Sequence, residues 1–413
     1  MNTNINAYNL CPAMSLPCTL EQGILRTENT VFLQDIGEGG AFLLDVGCTR
    51  PRLSWKEAQA EILLNGAPEG TQYFGQPVRD WCLLDLTTEL AGKSALPEIR
   101  IKTRGISLAS QAFLHYFPIK PFEGRILVIA PHPDDGELGC SSFYGPDTWV
   151  VNLTAGSRLI ELDKQYYDSM DGTAEQACRR KGLLRAHDAV TAPMLGGVLP
   201  GHAVCLGYHD SGLEEILKGE EVRNQVPPAY YRRYNYPNAV NELGLLSEPR
   251  NIREDLEGEL AGIIDALKPA VILVTDPCLD NHPDHRAAGQ LLLEMKQRGA
   301  TGDARILFYT LHARHERDFS FGPAGSRITL PRFKHPVKVP PELRFTYVMR
   351  PMNDEDMKRK AIMMDAMHDL YLAKDHRWKK NEELTWINSP RLGKAYYFMR
   401  FIKRSEIFTE LLG

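Results

Sequence analysis

The chain has 413 residues, of which 43% are hydrophobic and 24% charged, proportions typical of a soluble globular protein. This length exceeds that of a usual single core, so one large and one small domain are expected. Lysine and arginine number 48 against 53 acidic residues, which gives a net charge of −5, and no basic block stands out. This balance argues against nucleic acid as a partner.

The sequence predicts a cytoplasmic protein. Residues 1–20 are polar and lack a basic segment followed by an apolar one, so no cleaved secretion signal is expected. No apolar run approaches the ~18 residues that a transmembrane segment needs. The eight cysteines are scattered and form no CxxC pair, a pattern typical of reduced cytosolic thiols.

The first third of the chain has the pattern of a β-rich domain. Its short apolar runs are separated by Gly, Pro and Asn, and they lie at residues 31–33, 41–46, 60–64, 81–86 and 98–103. Strands at such spacing predict an antiparallel, β-sandwich-like accessory domain. Because the following stretch PIKPFEG carries Pro and Gly, we predict an accessory domain over residues 1–121 and a second domain over residues 122–413.

From residue 125 onward, predicted strands alternate with predicted helices. The strands lie at residues 125–130, 148–153, 203–207, 270–275 and 305–309, and the helices at residues 175–190, 252–267, 284–298 and 354–372. The first run, RILVIA, is of the kind buried in a parallel sheet. The alternation predicts an α/β fold with a Rossmann-like, doubly wound, mainly parallel sheet.

Two short strings carry the chemistry, and each follows a predicted strand. HPDD spans residues 132–135 and HPDH spans residues 282–285. Their side chains suffice for a hydrolytic zinc site, which usually takes three protein ligands and leaves one position for water. Because ligands gather at the carboxyl ends of strands in such sheets, we expect the strings to converge. Either string alone is as well explained by a turn, since Asp and Pro favour turns, but the pair favours a metal site.

The strings resemble the two signatures of the PIG-L/LmbE-like zinc-dependent N-deacetylases, as PHPDDGELGC and HPDHRA, and the resemblance covers roughly residues 123–310. It implies that His132, Asp135 and His285 bind Zn²⁺ and that Asp134 is the general base. The bound water of such a site has a pKa near ~7. A ligand set of two histidines and a carboxylate suits several divalent metals, so Fe²⁺ is an alternative to Zn²⁺.

The same resemblance implies roles for four further side chains. His282 would stabilise the oxyanion or protonate the departing amine, with Asp284 orienting its ring. The segment LGYHDSGL resembles the sugar-binding stretch of the family, which makes Asp210 a substrate-binding candidate. Arg185 has the spacing of the family's substrate-contacting arginine. The alternatives are an Asx-turn for Asp210 and a solvated helix arginine for Arg185.

One stretch departs from the family pattern. Where the family has a glycine pair and a full helix after the first string, this chain has Ser141 and Ser142 and then only residues 143–147 before the next predicted strand. The first crossover helix is therefore expected to be short or absent, which alters one wall of the predicted pocket.

These features predict a zinc-dependent hydrolase that removes the N-acetyl group from an N-acetylated amino sugar of the GlcNAc type. The sugar would be part of a glycoconjugate, a lipid-linked sugar or a surface-polysaccharide precursor. The alternatives are a zinc amidase for a larger acyl or conjugate amide, a sugar-binding protein without turnover, and a scaffold whose accessory domain carries the function. The aromatic and basic residues 396–412 leave peripheral membrane contact open beside packing against the sheet.

Overall fold

The computed structural model describes residues 9–28, 39–49, 57–75, 79–159, 171–220, 222, 226–313, 319–331, 343–371 and 396–412. The chain forms two compact units. The first unit takes in residues 1–121, 314–357 and 384–413, and the second takes in residues 122–313 and 358–383.

The elements follow one another in three stretches of chain. The first stretch contains β1 (Asn9–Leu10), β2 (Met14–Glu21), β3 (Ile24–Arg26), β4 (Gly40–Thr49), β5 (Gln59–Leu64), β6 (Ala67–Tyr73), β7 (Arg79–Asp85), α1 (Thr87–Leu90), β8 (Ile99–Arg104) and β9 (Ser107–Pro118). The second contains β10 (Ile126–Ala130), α2 (Asp135–Gly139), β11 (Thr148–Thr154), α3 (Ala174–Leu195), β12 (Ala203–Tyr208), α4 (Leu213–Leu217), α5 (Pro237–Glu242), α6 (Arg253–Leu267), β13 (Val271–Thr275), α7 (Pro283–Gln297) and β14 (Arg305–Tyr309), with 3-10 helices at Ser141–Phe143 and Pro228–Tyr234. The third contains β15 (Thr329–Pro331), β16 (Arg344–Pro351), α8 (Asp354–Asp365), α9 (His368–Tyr371), α10 (Tyr396–Phe401) and β17 (Ser405–Leu412).

The first unit is built on a nine-stranded sheet in the order β15-β7-β4-β9-β2-β3-β8-β5-β6. Its neighbouring strands pair antiparallel, as the sequence predicts. Alternate residues of β4, namely Phe42, Leu44 and Val46, enter one hydrophobic cluster, because successive side chains of a strand point to opposite faces of the sheet. These nine strands form one hydrogen-bonded sheet, and the predicted sandwich arrangement stays a prediction.

The predicted strand runs correspond to β4, β5, β7 and β8, while the run at residues 31–33 lies outside the described residues. Residues 396–412, for which a membrane-surface segment was an alternative, form the short helix α10 and the strand β17. β17 pairs antiparallel with β16 along its whole length.

Lys403 lies beside β17 and is an internal lysine of the first unit, only 1% exposed. Its ammonium group donates to the carbonyl oxygens of Phe321 (2.8 Å), Gly322 (2.9 Å) and Pro323 (3.0 Å) and to Ser326 Oγ (3.0 Å). Burial, together with the nearby charge of Arg400, lowers the pKa of Lys403 to about 7.

We expect this lysine to make stability depend on pH. The folded protein holds the Lys403 proton less tightly than the unfolded chain, in which a lysine pKa is about 10.4, so the unfavourable contribution present below pH ~7 is relieved as the pH rises toward ~10. Thermal midpoints of the wild type and of Lys403→Met, measured in parallel from pH 6 to 10, should diverge in favour of the wild type as pH rises. A difference that is flat or falls with pH would contradict this.

The second unit contains the parallel sheet, in the order β14-β13-β10-β11-β12. All pairings along this order are parallel, and β11, β12 and β13 are buried along their whole length. Such continuous burial explains why these segments read as apolar runs without alternation. The chain runs from β10 outward through β11 and β12, then returns to the other side of β10 with β13 and β14. The strand order therefore reverses between β10 and β13, and ligands bind in the crevice at such a reversal.

The helices of the second unit follow the predicted pattern, with one extension and one interruption. α3 extends five residues beyond the predicted end at residue 190, and the predicted helix at residues 354–372 is divided into α8 and α9. The crossover between β10 and β11 contains only the five-residue helix α2 and a short 3-10 helix, as expected from the departure at Ser141. Within the described part of the chain, no helix combines the length and apolarity that a bilayer crossing requires.

The chain passes from the first unit to the second between Pro121 and Phe122, where the sequence predicts a boundary. Residues 314–357 and 384–413, assigned from sequence to the C-terminal domain, lie in the first unit. The assignment of an accessory and a deacetylase domain stays a prediction.

Candidate metal centre

The two strings meet at the reversal of the strand order. The first follows β10 directly and runs into α2, and the second begins α7, seven residues after β13 ends. Because β10 and β13 are adjacent parallel strands, their carboxyl ends bring the two strings to the same edge of the sheet.

Three donor atoms form a nearly equilateral triangle at this edge. His132 Nδ1 lies 3.1 Å from Asp135 Oδ2 and 3.2 Å from His285 Nε2, and the latter two atoms are 3.2 Å apart. All three residues are buried. Donors that surround a zinc ion tetrahedrally are separated by roughly 3.3 Å, so the triangle has the size that such an ion requires. The structure thus brings together the three predicted ligands.

Two further groups of donors include His132. His132, His282 and His285 each offer a nitrogen within 4.8 Å of the others, and His132, Asp210 and Asp284 form a second group, in which both carboxylates lie at Nε2 of His132. Imidazole nitrogens and carboxylate oxygens are ligands of divalent transition metals. The residues present therefore fit a divalent metal ion.

The backbone of the first string is constrained around the ligands. The amide of His132 donates to Asp135 Oδ2 at 2.8 Å, which closes the turn into α2. Asp134 has φ of +129°, in a region that non-glycine residues rarely enter. Residues with such strained backbones are often found at functional sites. This turn directs Asp134 and Asp135 to different neighbours.

The second string is held by close approach of α7 to β13. Thr275 Oγ1 donates to the carbonyl oxygen of His285 at 2.8 Å. One helical turn later, a Cβ at Gly289 would lie 2.4 Å from the Thr275 carbonyl oxygen. Glycine is therefore required at residue 289 for α7 to lie this close and place His285 in the triangle.

Asp284 does not orient the ring of His282 through its carboxylate. Asp284 Oδ2 lies 3.2 Å from His132 Nε2, and the same carboxylate accepts from the amides of Ser211 (2.7 Å) and Leu213 (3.1 Å). Its contact with His282 is a backbone one, in which the Asp284 amide donates to His282 Nδ1 at 3.3 Å. Because α7 begins at Pro283, the Asp284 side chain turns toward the amides of the 211–213 segment.

Asp210 stands beside Asp284 and is buried. Its Oδ1 lies 3.4 Å from His132 Nε2, and its Oδ2 accepts from the Arg158 amide at 2.6 Å. Burial alone would raise the pKa of the Asp210 carboxyl, but the bond to His132 and its charge hold that pKa well below its usual range. The predicted sugar contact of Asp210 stays a prediction.

The proposed ligands shift one another's pKa values because oppositely charged groups lie in contact. Burial opposes a charged His285, but Asp135 and Asp280 raise its pKa to about 10. The pKa of Asp135 is correspondingly held well below its usual range, against the effect of burial, by His285 and His132. Protons on the imidazoles therefore compete with a cation for these nitrogens, as is usual when metal binding is linked to ligand ionisation.

His282 has the opposite electrostatic environment. Burial and the neighbouring His285 and His132 lower its pKa to about 4, and its ring centroid lies 4.7 Å from that of His132. A neutral ring whose Nδ1 accepts from the Asp284 amide carries its proton on Nε2. In that state, His282 can donate a hydrogen bond to a developing negative charge.

Arg185 contacts the predicted base. Its Nη2 lies 2.9 Å from Asp134 Oδ1, and the guanidinium also donates to the carbonyl oxygens of Pro133 and of Gly156 (3.5 Å). Arg185 is buried, which excludes the alternative of a solvated helix arginine. These bonds hold Asp134 and its loop, and the substrate contact predicted for Arg185 stays a prediction.

Two buried acids beside the strings had no role in the sequence-based site. Glu137 accepts from the Tyr144 hydroxyl at 3.1 Å, and burial raises its pKa to about 7. Asp280 Oδ2 lies 3.1 Å from His285 Nδ1. Sequence alone offered a weak signal for Asp280, an acid two residues before the second string.

Comparison with known proteins gives the family of this region. Residues 127–296 match the family model described as PIG-L, GlcNAc-PI de-N-acetylase. This segment, here called the PIG-L segment, is similar to the PIG-L family. The PIG-L segment contains both strings, Arg185 and Asp210.

Similarity outside the family model is limited. A search of curated proteins finds no match. Among solved structures, the A40926 pseudoaglycone deacetylase Dbv21 is 15% identical, with 70% of this chain and 97% of that chain covered and a TM-score of 0.38. The N,N'-diacetylchitobiose deacetylase of Pyrococcus horikoshii is 16% identical, with coverages of 69% and 83% and a TM-score of 0.34. The 4-carboxy-2-hydroxymuconate hydratase GalB of Pseudomonas putida is 13% identical, with coverages of 62% and 82% and a TM-score of 0.35. Likenesses this low carry no argument about the reaction of the PIG-L segment.

Proposed function

We propose that this protein is a metal-dependent N-deacetylase that removes the acetyl group from an N-acetylated amino sugar of the GlcNAc type. The sugar would belong to a glycoconjugate, a lipid-linked sugar or a surface-polysaccharide precursor. The observation that carries the proposal is the triangle of donor atoms from His132, Asp135 and His285, with Asp134 adjacent in sequence to the ligand Asp135. The match of the PIG-L segment to a de-N-acetylase family model supports the reaction class.

The proposed metal ligands are His132, Asp135 and His285, and the proposed ion is Zn²⁺, with Fe²⁺ as the alternative. When bound, such an ion would lower the pKa of water and polarise a carbonyl oxygen. The remaining chemistry falls to the side chains around it.

In this proposal, Asp134 accepts a proton from the water that attacks the amide carbonyl, and Arg185 fixes the orientation of the carboxylate through its 2.9 Å contact. His282 donates a hydrogen bond from Nε2 to the oxygen on which negative charge develops, and when the C–N bond breaks the amine leaves with the proton that Asp134 accepted. Asp284 and Asp210 lie on the far nitrogen of His132 and keep its ring in place. Asp210 is also retained as the proposed contact for a sugar hydroxyl.

A zinc amidase for a larger acyl or conjugate amide is the second candidate. The short crossover at α2 favours it, because a wall built from a five-residue helix leaves more room than a full helix would. We also propose a cytoplasmic location, an N-acetylated sugar as the partner and peripheral contact with a membrane.

Acetate release tests the proposed function. Purified protein loaded with Zn²⁺ or Fe²⁺ would be incubated with N-acetylglucosamine conjugates and with long-chain acyl amides of the same sugars. We expect acetate from the first set only, and its loss after chelation. Turnover of the long-chain amides alone would overturn the deacetylase in favour of the amidase, and metal binding without any turnover would favour a sugar-binding protein.

Arg185 should affect turnover more than substrate binding. Because the guanidinium holds Asp134, we expect Arg185→Gln and Arg185→Lys to lower kcat by roughly 10–100-fold while KM changes by less than about threefold. Steady-state kinetics of acetate release measure both constants. Arg180→Gln on the same helix, whose side chain pairs with Asp171, is the matched control. A raised KM with unchanged kcat would instead identify Arg185 as a substrate contact.

A further inference from the structure

The ring of His285 lies between two carboxylates. Its Nε2 faces the donor triangle, at 3.2 Å from both His132 Nδ1 and Asp135 Oδ2. Its Nδ1 points the other way and lies 3.1 Å from Oδ2 of Asp280. Asp280 has no exposed surface, so this contact is shielded from water.

Asp280 is itself fixed by backbone amides. Its Oδ1 accepts from the amide of His282 at 2.9 Å, and its Oδ2 accepts from the amides of Leu311 (2.9 Å) and His312 (3.0 Å). The neighbouring amide of Asn281 donates to the His312 carbonyl oxygen at 2.7 Å. An acid that receives this many donors is held ionised and in one orientation, and it joins the second string to the segment after β14.

We propose that Asp280 is a positioning residue of the metal centre. Its negative charge, 3.1 Å from Nδ1, favours the His285 proton on that nitrogen, so that the lone pair of Nε2 is directed at the position between His132 and Asp135, and the same charge increases the donor strength of the ring. Carboxylates on the far nitrogen of a ligating histidine commonly have this effect. Asp284 occupies the corresponding position on His132. The inference rests on the proposed function only in requiring a divalent metal at the triangle.

Metal affinity of the full-length protein tests the inference without any substrate. Zn²⁺ dissociation constants would be measured by competition with a chromophoric chelator for the wild type and for Asp280→Asn. We expect the variant to bind Zn²⁺ about 10–100-fold more weakly. Asp276→Asn is the matched control, because Asp276 is equally buried in the same loop but its carboxylate accepts from the amides of Cys278 (2.7 Å) and Leu279 (2.6 Å). It should stay within about threefold of the wild type.

A spectroscopic readout separates positioning from general loosening of the loop. The visible bands of the Co²⁺-loaded protein report the ligand field, so they should shift in Asp280→Asn and not in Asp276→Asn. If Asp280→Asn is insoluble, Asp280→Ser provides the same two measurements.

Three outcomes would overturn the inference. The first is an Asp280 variant with wild-type affinity and spectrum, and the second is equal weakening by the Asp276 control. In both of these, the wild type still binds metal and the proposed function stands. The third is a wild type that binds neither Zn²⁺ nor Co²⁺, which removes the proposed function as well.

Discussion

Replacing Asp134 with Asn should lower the rate of acetate release by ~10²–10⁴ while leaving the metal content of the protein unchanged. Asparagine keeps the shape of the side chain and an oxygen for the contact with Arg185, but it cannot accept a proton from water. Asp134 supplies none of the three donor atoms of the triangle, so the variant should retain the metal ion. Turnover at saturating substrate and metal analysis of the same sample measure the two effects.

The backbone conformation at residue 134 should be kept when Asp134 is replaced with Asn. Asp134 has φ of +129°, and Asn and Asp are the non-glycine residues best tolerated at positive φ. Asp147→Asn, the same chemical change at an exposed acid before β11, is the control and should keep wild-type turnover. Normal turnover in Asp134→Asn would show that another group is the base.

The elements of the second unit could be predicted from sequence, but their adjacency could not. The apolar composition of β10 and β13 alone indicates buried strands, because both faces of these strands are covered. Nothing in either run states that the two strands are neighbours, since pairing depends on the whole strand order. The expectation that the two strings converge came from the rule that ligands gather at the carboxyl ends of such strands, and the resemblance of both strings to one family supported it.

The division of the chain into two units could also be predicted only in part. A change of pattern near residue 121 is visible in the sequence, because short strands give way to alternating strands and helices. The assignment of β16 and β17 to the first unit depends on contacts between segments far apart in the chain. The composition of a segment does not indicate such contacts. A single cut in the sequence cannot represent a chain that crosses between units more than once.

Within the candidate site, residues inside the strings were easier to find than their supports. His132, Asp135 and His285 carry motif spacing, and the structure brings them together. The support assigned to Asp284 followed from its nearness to His282 in sequence, whereas the start of α7 turns its carboxylate to His132. Asp280 is one acid in an irregular loop, and its role depends on loop amides that no local pattern specifies.

Replacing His285 with Ala should abolish both metal binding and acetate release. Its Nε2 is one corner of the donor triangle, and alanine leaves His132 and Asp135 as a pair, one ligand short of the three that catalytic zinc sites use. Metal content after loading and dialysis should fall to the level of chelated wild type, and added Zn²⁺ should restore activity to chelated wild type only. His187→Ala, at an exposed histidine on α3, is the control and should load and turn over normally. A His285→Ala protein that kept stoichiometric metal and activity would mean that the hydrolytic ion is held elsewhere, and the triangle would then be only a buried polar cluster.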